Sequence, residues 1–491
     1  MSISFNEVPS SSRVPFVFIE FNNSAATSGT SVKRYRALVL GQKLASSNAT
    51  ANTITKVVSA NDALARFGAG SQLHQMFVKW FANNSYTDVY AGVLADDSTG
   101  VANVQTVTLT GTSTASGTLA LYVAGRLISV GVTSGQTAAT IAAAVQTKFA
   151  SLNSSQPFPV SLSVASAVLT FTANWKGVSS NDINIRMNYN DGDATPAGIT
   201  VAIATATTGS TNPSLTSMIS AMAGKQYDFI VLPYTDATSI STLLADLSDR
   251  WTASRQQEGV AFMSKDDTSV NLETWGATQN SQLLTTIGHN SSPSPNYEWA
   301  TAFAAVTASA GSVDPARPFK TLPLSGILAP PTANVFMSSE QNSLLCDGIS
   351  TYTVDASGNV LLSRVITMYL TNSAGAPDTS YLDLNTVLTL SYLRYDLRTM
   401  ILTKYPRHKL ADDGTNYSVG QAVVTPSVMK AEIIARARLW EEDGLVEDVD
   451  DFKASLIVQR NSSDVNRLDV LMQPNLMNQF LIAGIQMKFI L

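Results

Sequence analysis

Few residues in this sequence have the type and placement to do chemistry. His289 closes the apolar run LLTTIGH just before a Ser/Pro-rich loop, where α/β proteins commonly place functional groups. A general base there needs a nucleophile and an orienting partner, and neither is evident in the sequence. His74 lies three residues before Phe77 on a predicted helix, so a packed ring is expected there rather than a base. His408 belongs to a basic cluster with Lys404, Arg407 and Lys409, which either contacts another chain or complements the end of the preceding helix. Cys346, in NSLLCDG, is flanked by leucines and is expected to be buried. As the only cysteine it forbids an internal disulfide and a Cys-rich zinc site.

The densest charge is acidic: Glu441, Glu442, Asp443, Glu447, Asp448, Asp450 and Asp451 fall within eleven residues. Calcium needs several oxygens converging at about 2.3–2.6 Å, and the EF-hand spacing is missing. The run is therefore either a solvated loop or an acidic patch whose field registers a contact with a basic neighbour. The sequence contains no GxGxxG between strand and helix, no GxxxxGK[ST], no HExxH and no GxSxG. Gly68-Ala69-Gly70 reads as a plain turn. No catalytic residue, cofactor site or metal site is predicted, and the expected protein is not an enzyme.

Composition agrees. Of 491 residues only 14% are charged, against about 25% in ordinary domains, and the net charge is −6. Sparse charge leaves few like charges to hold copies apart, which favours a part in an assembly. The absence of Lys/Arg blocks argues against nucleic-acid binding. No apolar run reaches about 18 residues, so no membrane insertion is expected. The opening MSISFNEVPSS has neither a basic leader nor a hydrophobic run, so no secretory signal is expected.

The elements that would position these residues read as a mixed α/β (α+β), multi-domain chain. VPFVFIEF (Val14–Phe21) and YRALVLGQ (Tyr35–Gln42) are predicted strands joined by a polar link. Helices at Asn61–Gly68 and Gln72–Phe81 and a strand at Thr87–Leu94 follow. Between Val101 and Ser180 only Arg126, Lys148 and Lys176 are charged. Thr/Val/Ser alternations there predict strands, interrupted by a helix at Thr137–Leu152 with Ile141, Val145 and Phe149 on one stripe. This is a β-rich module inserted into α/β material. Asn212-Pro213 offers a helix start, and YDFIVLPY, GVAFMS and LLTTIGH are strands. Helices are predicted at Ile240–Gln257, Val270–Asn280 and Asn296–Gly311, before a proline-rich crossing from Pro315 to Pro331. Ser380 and Asp383 have capping-box spacing for a helix running to Lys404. Thr425, Pro426 and Gly444 punctuate a second helix, with Val428, Ala431, Ala435 and Leu439 as its expected buried row. Two hydrophobic stretches finish the chain, FKASLIVQR (Phe452–Arg460) and FLIAGIQMKFIL (Phe480–Leu491). The last carries one charge and must be covered, either in its own sheet or as a strand lent to a neighbour.

The opening segment, residues 14–44, and the ending NRLDVLMQPNLMNQFLIAGIQMKFIL, residues 466–491, resemble the tail sheath protein of contractile-tailed bacteriophages, in its Mu-like branch. The middle segment with TLALYVAGRLISVGV and FTANWKGVSSNDINIRMNY resembles the protruding insertion domain of such sheaths. The resemblance implies a structural subunit. Six-membered rings stack around an inner tube, and an extended lattice collapses to a contracted one that drives the tube through the host envelope. It implies an N-terminal arm (1–35), an α/β domain (36–95 and 206–375), a protruding module (96–205), a core domain lining the tube (376–473) and a C-terminal arm (474–491). The arms would supply strands to neighbouring subunits through Phe16, Phe18, Ile19 and Phe21 at one end. At the other end Phe480, Ile482, Ile485, Met487, Phe489 and Leu491 would do so. Charged contacts to the tube or a neighbour would come from Arg436 and Arg438 or from the acids between Glu441 and Asp451. Implied partners are further copies of the chain, the inner tail tube protein, and baseplate and tail terminator proteins. The implied location is the virion tail, after assembly in the host cytoplasm. Two other readings stand beside this one, a tube or shell protein that does not contract and an α/β hydrolase-like enzyme built on His289.

Overall fold

The parallel strands at the centre of this chain are buried without alternation, as strands covered on both faces must be. Leu38–Gln42, Phe229–Val231, Val260–Ser264 and Leu284–His289 are buried at every position. The structure is a computed structural model that describes residues 33–418 and 420–490. The predicted strand Val14–Phe21 therefore lies outside the described residues.

Contacts divide the chain into a larger body, Arg34–Ser391 with the segment from Asn478, and a smaller one, Tyr392–Met477. In the larger body, strands Ile349–Val354, Leu284–His289, Val260–Asp266, Phe229–Val231, Arg36–Gln42 and Asp88–Leu94 run parallel in that spatial order. Thr53–Val57 closes one edge antiparallel, and Asn359–Arg364 with Pro323–Leu328 close the other. The helices start where the sequence supplies caps. Ser71 Oγ accepts the His74 amide at 3.1 Å to open Gln72–Asn83, and Asp236 accepts the Ser239 amide at 2.9 Å to open Ala237–Trp251. Helix Asn296–Val313 is apolar nearly all round and is buried along almost its whole length.

Residues between Val104 and Thr207 build separate antiparallel sheets. One orders Ile199–Thr207, Val104–Gly111, Val168–Ala173 and Val160–Ala165; the other orders Arg126–Val132, Gly117–Val123 and Ile185–Met187. Helix Ala138–Ser155 packs on them through Ile141, Ala142, Val145 and Phe149, and Phe149 stacks on Phe158 at 4.7 Å. Side-chain amides of Gln42 and Gln75 join this part to the parallel sheet. Gln42 Nε2 donates to the Asp96 carboxylate at 2.8 Å and to the Lys176 carbonyl at 2.7 Å, and Gln75 Nε2 donates to the Pro157 carbonyl at 2.8 Å. Gly70 is required at this seam. Its φ is +77°, and a Cβ there would sit 2.1 Å from the Phe158 carbonyl oxygen.

Helix Leu384–Lys404 carries on into the smaller body, which also holds helices Pro426–Glu442 and Val449–Ser455 and the hairpin Ile457–Arg460/Leu468–Leu471. Thr425 caps the second helix with Pro426 at its first position, as expected. Its buried face differs from the expected row. Met429, Ile433, Arg436, Ala437 and Trp440 point inward, while Ala431 and Ala435 are exposed. The larger side chains take the core, and alanine is tolerated outside because it suits any helix position.

Four local expectations change. Asn212 caps no helix, because its side chain accepts from the Ser179 amide at 3.1 Å and donates to Asp236 at 2.8 Å; the helix begins at Thr216. Ser380 and Asp383 form no capping box, since Asp383 binds Arg364 at 3.1 Å and the helix begins at Leu384. The stretch Phe452–Arg460 is a strand only from Ile457. Its first part is helix Val449–Ser455, where Asp450 and Asp451 favour the positive end of the helix dipole. The expected strand at the very end is absent among the described residues after Leu476.

Candidate assembly surfaces

The carboxyl-terminal segment is an unusual surface for a folded chain. Ile482, Ile485 and Met487 are each more than four-fifths exposed, and Phe480, Phe489 and Ile490 are also exposed. Read at period two, Leu481, Ala483, Ile485, Met487, Phe489 and Leu491 fall on one face, and the other face carries Phe480, Ile482, Gly484, Gln486, Lys488 and Ile490. One face is apolar throughout, and the other mixes apolar residues with Gln486 and Lys488. Its backbone has neither a sheet nor a helix among the described residues. The expected donor residues Phe480, Ile482, Ile485, Met487 and Phe489 are thus uncovered in the single chain. Phe16, Phe18, Ile19, Phe21 and Leu491 lie outside the described residues.

The charged residues separate into two kinds. Arg436 was expected at a charged contact, but it is turned inward. Its Nε lies 2.5 Å and its Nη2 2.6 Å from the two oxygens of Asp396, which is fully buried. Trp440 Nε1 donates to the same carboxylate at 2.7 Å. The pair is bidentate, and the indole satisfies a further lone pair, so a buried charge is tolerated here. One signal in the sequence pointed to this: Asp396 sits between Leu393 and Met400 at helical spacing, on an otherwise apolar stripe.

Arg438 is exposed and shares a concavity of about 480 Å³ with Glu441, Glu442, Asp448, Val449, Asp450 and Asp451. The turn beneath it is built locally. Asp448 adopts φ +57°, its carboxylate accepts from Asn475 Nδ2 at 3.1 Å, and Glu441 accepts the Val449 amide at 3.3 Å. Asp443 is exposed and Glu447 half-buried nearby. Five carboxylates against one guanidinium give this surface a strongly negative field. Among the described residues, no group of three His, Cys, Asp or Glu side chains is placed to hold a metal ion.

His74 and His289 are placed for packing. Burial, with Arg126 nearby, lowers His74 to about 4, and its neutral Nδ1 accepts the Gly70 amide at 3.2 Å. His289 stacks on Trp299 at 4.7 Å with Nδ1 3.4 Å from Asp266. Burial pushes Asp266 up, but His289, the Ser291 amide and Arg186 outweigh it and hold the carboxyl below its usual range. No hydroxyl or thiol hydrogen-bonds His289 among the described residues, so a base with a nucleophile is not assembled there. Cys346 is exposed rather than buried, because its helix turns Leu344 inward and ends at the cysteine. In the basic cluster, Lys404 pairs with Glu432 at 2.6 Å and Lys409 donates to Gln421 at 3.0 Å.

Comparison with known proteins gives consistent matches. Residues 208–368 match the model for the phage tail sheath protein central domain, and residues 376–490 match that for the phage tail sheath C-terminal domain. Over 491 residues, the whole of both chains, the sequence is 40% identical to the Mu-like prophage FluMu tail sheath protein of Haemophilus influenzae. Among solved structures, a sheath tail protein of Listeria innocua aligns at TM-score 0.49 and 11% identity, covering 92% of this chain and 94% of that one. The anti-feeding prophage helical sheath in its contracted state aligns at TM-score 0.49 and 11% identity, covering 98% and 99%.

Proposed function

Because the chain belongs to the phage tail sheath proteins, in their Mu-like branch, we propose that it joins its neighbours by lending them its exposed carboxyl-terminal strand. The protein is a structural subunit of a contractile tail sheath in the virion, and its role is not catalytic. Copies form a helical assembly whose contraction drives the tube through the host envelope. The arrangement we infer is six-membered rings around an inner tail tube, completed by baseplate and terminator proteins and assembled in the host cytoplasm.

The observation that carries the strand proposal is the exposed run from Ile482 to Ile490. A segment with one wholly apolar face, and a backbone outside any sheet or helix among the described residues, gains from both kinds of burial when it adds to a neighbour's sheet edge. The segments at 1–35 and 474–491 act in this reading as arms. The β-rich part at 96–205 is the protruding module, and residues 376–473 form the core domain facing the tube. Its acidic concavity, with Arg438, is the surface we assign to a charged contact with the tube or a neighbouring subunit; Arg436 supports that surface from inside. The tilt between added strands varies widely, roughly 10–35°, while their hydrogen bonds persist. Such links let subunits reorient without detaching as one lattice converts to another.

The test is removal of Leu481–Leu491 followed by electron microscopy under assembly conditions. The truncated chain is expected to stay folded, with an unchanged melting temperature, and to form no long tubes. Normal tubes from the truncated chain would refute strand donation.

A further inference from the structure

The point where the carboxyl-terminal segment leaves the body is built rather than incidental. Lys320 Nζ donates to the Phe480 carbonyl at 2.9 Å, and the same ammonium lies 5.6 Å from the centre of the Phe480 ring. Gln479 Nε2 reaches the Ala316 carbonyl at 3.4 Å. Ala316 and Lys320 both sit on the loop that follows the buried helix Asn296–Val313, and that loop is itself pinned. Asp314 accepts the amides of Ala316 and Arg317 at 3.0 and 3.2 Å. The buried Asn385 donates to the carbonyls of Pro315 and Arg317, both at 2.8 Å.

We propose that Lys320 is the clamp that fixes where the arm departs, so that the residues after Phe480 are presented outward as a strand ready for a second copy of this chain. The inference rests on the strand-donation reading and adds a positioning residue to it. Its physical basis is preorganisation. Ordering a free backbone costs conformational entropy at every residue, and a fixed root restricts the volume the arm searches before it pairs. From Phe480 the remaining eleven residues reach about 36 Å at about 3.3 Å per residue, so the position of the root determines which neighbouring edge lies within range. One lysine serves both contacts: its charge faces the aromatic ring while one N–H takes the carbonyl of the same residue.

The experiment compares full-length Lys320→Met, Lys320→Arg, Phe480→Leu and the Lys320→Met/Phe480→Leu double variant in assembly assays. The readout is the protein concentration at which tubes appear by light scattering and microscopy. Lys320→Met is expected to raise that concentration about two- to fivefold, the range set by an exposed cation–aromatic contact, with the monomer melting temperature unchanged. Lys320→Arg keeps the charge and the donor and is expected to behave as wild type. The double variant is expected to be no worse than the poorer single one, because both changes break the same contact. Wild-type assembly of Lys320→Met, additive effects in the double variant, or a lowered monomer melting temperature would each overturn the clamp. The two claims fail separately. Loss of tubes on removing Leu481–Leu491 together with an unaffected Lys320→Met condemns only the clamp, whereas normal tubes from the truncated chain condemn strand donation itself.

Discussion

Ile485→Asp tests the apolar face of the arm most directly. Ile485 is 85% exposed in the single chain, so the substitution has little to disturb there, and a change within about 0.5 kcal/mol in monomer stability is expected. In an assembled sheet the same position lies on the dry face with Leu481, Met487 and Phe489. Burying an isoleucine is worth about 1.5–3 kcal/mol, and aspartate forfeits that. It also brings a carboxylate into an apolar contact, at a further cost of a few kcal/mol. A combined loss of about 3 kcal/mol per subunit raises the assembly concentration roughly 150-fold, enough to abolish tubes at ordinary protein concentrations. Gln486→Asp, one residue along and on the opposite face, is the matched control and is expected to shift assembly far less. Pelleting and negative-stain microscopy read both variants, and chemical denaturation checks the monomer. The reasoning fails if Ile485→Asp assembles at wild-type concentration, or if Gln486→Asp is equally damaging.

Two further predictions concern the interior. Asp396→Ala leaves Arg436 buried beside Trp440 without its counter-ion, and a loss of about 3–5 kcal/mol is expected in urea unfolding. Glu432→Ala, which breaks the half-exposed Lys404 pair, should cost no more than about 1 kcal/mol; similar losses for both would undermine the distinction. His74 titrates near 6.5 when unfolded and at about 4 when folded. Between those values the unfolded chain binds more protons, so this group's contribution is intact above pH 6.5 and is lost as the pH falls through 4. The stability difference between wild type and His74→Gln should therefore move against wild type by about 3 kcal/mol from pH 7 to pH 4. A difference that does not vary with pH would show that His74 is not held neutral by the fold.

Much of the scaffold was legible because its signals are local. Thr425-Pro426 marks a helix start by chemistry that acts within one turn, and LLTTIGH reads as a buried strand because it is short, uncharged and rich in β-branched residues. The failures came where a side chain had two possible partners. Asn212 and Asp383 both carry good capping groups, yet each is taken by a residue distant in sequence, Ser179 and Arg364 respectively. The buried face of helix Pro426–Glu442 is not legible in the sequence because an apolar tally counts Arg436 as surface, and only the arrival of Asp396 from another helix lets it enter the core. The donor segment was visible as a hydrophobic ending, but whether its own sheet covers it depends on long-range pairing that period-two alternation does not encode. The Lys320 contact had no sequence signature at all, since one lysine 160 residues from Phe480 resembles any other surface lysine.

The contrast between the interior and the ends bears on how a sheath subunit can serve two lattices. Inside each body polar groups are matched closely, as with Asp396, Arg436 and Trp440 in the smaller body and Gln42, Asp96 and Lys176 in the larger. Separating such partners costs about 1–3 kcal/mol for each buried group left unsatisfied. Rearranging the interior in every copy of a long tube would therefore be a heavy and repeated penalty. An added β-strand has softer mechanics: its hydrogen bonds tolerate changes of twist, and its dry face slides over apolar neighbours without breaking directional contacts. In the reading proposed here, the energy difference between the two lattices then resides in the contacts between copies, and the bodies move as units. Substitutions on the arm's apolar face should alter whether sheaths form and how readily they convert. Substitutions such as Asp396→Ala should lower the melting temperature of the subunit and leave the geometry of any sheath it still builds unchanged.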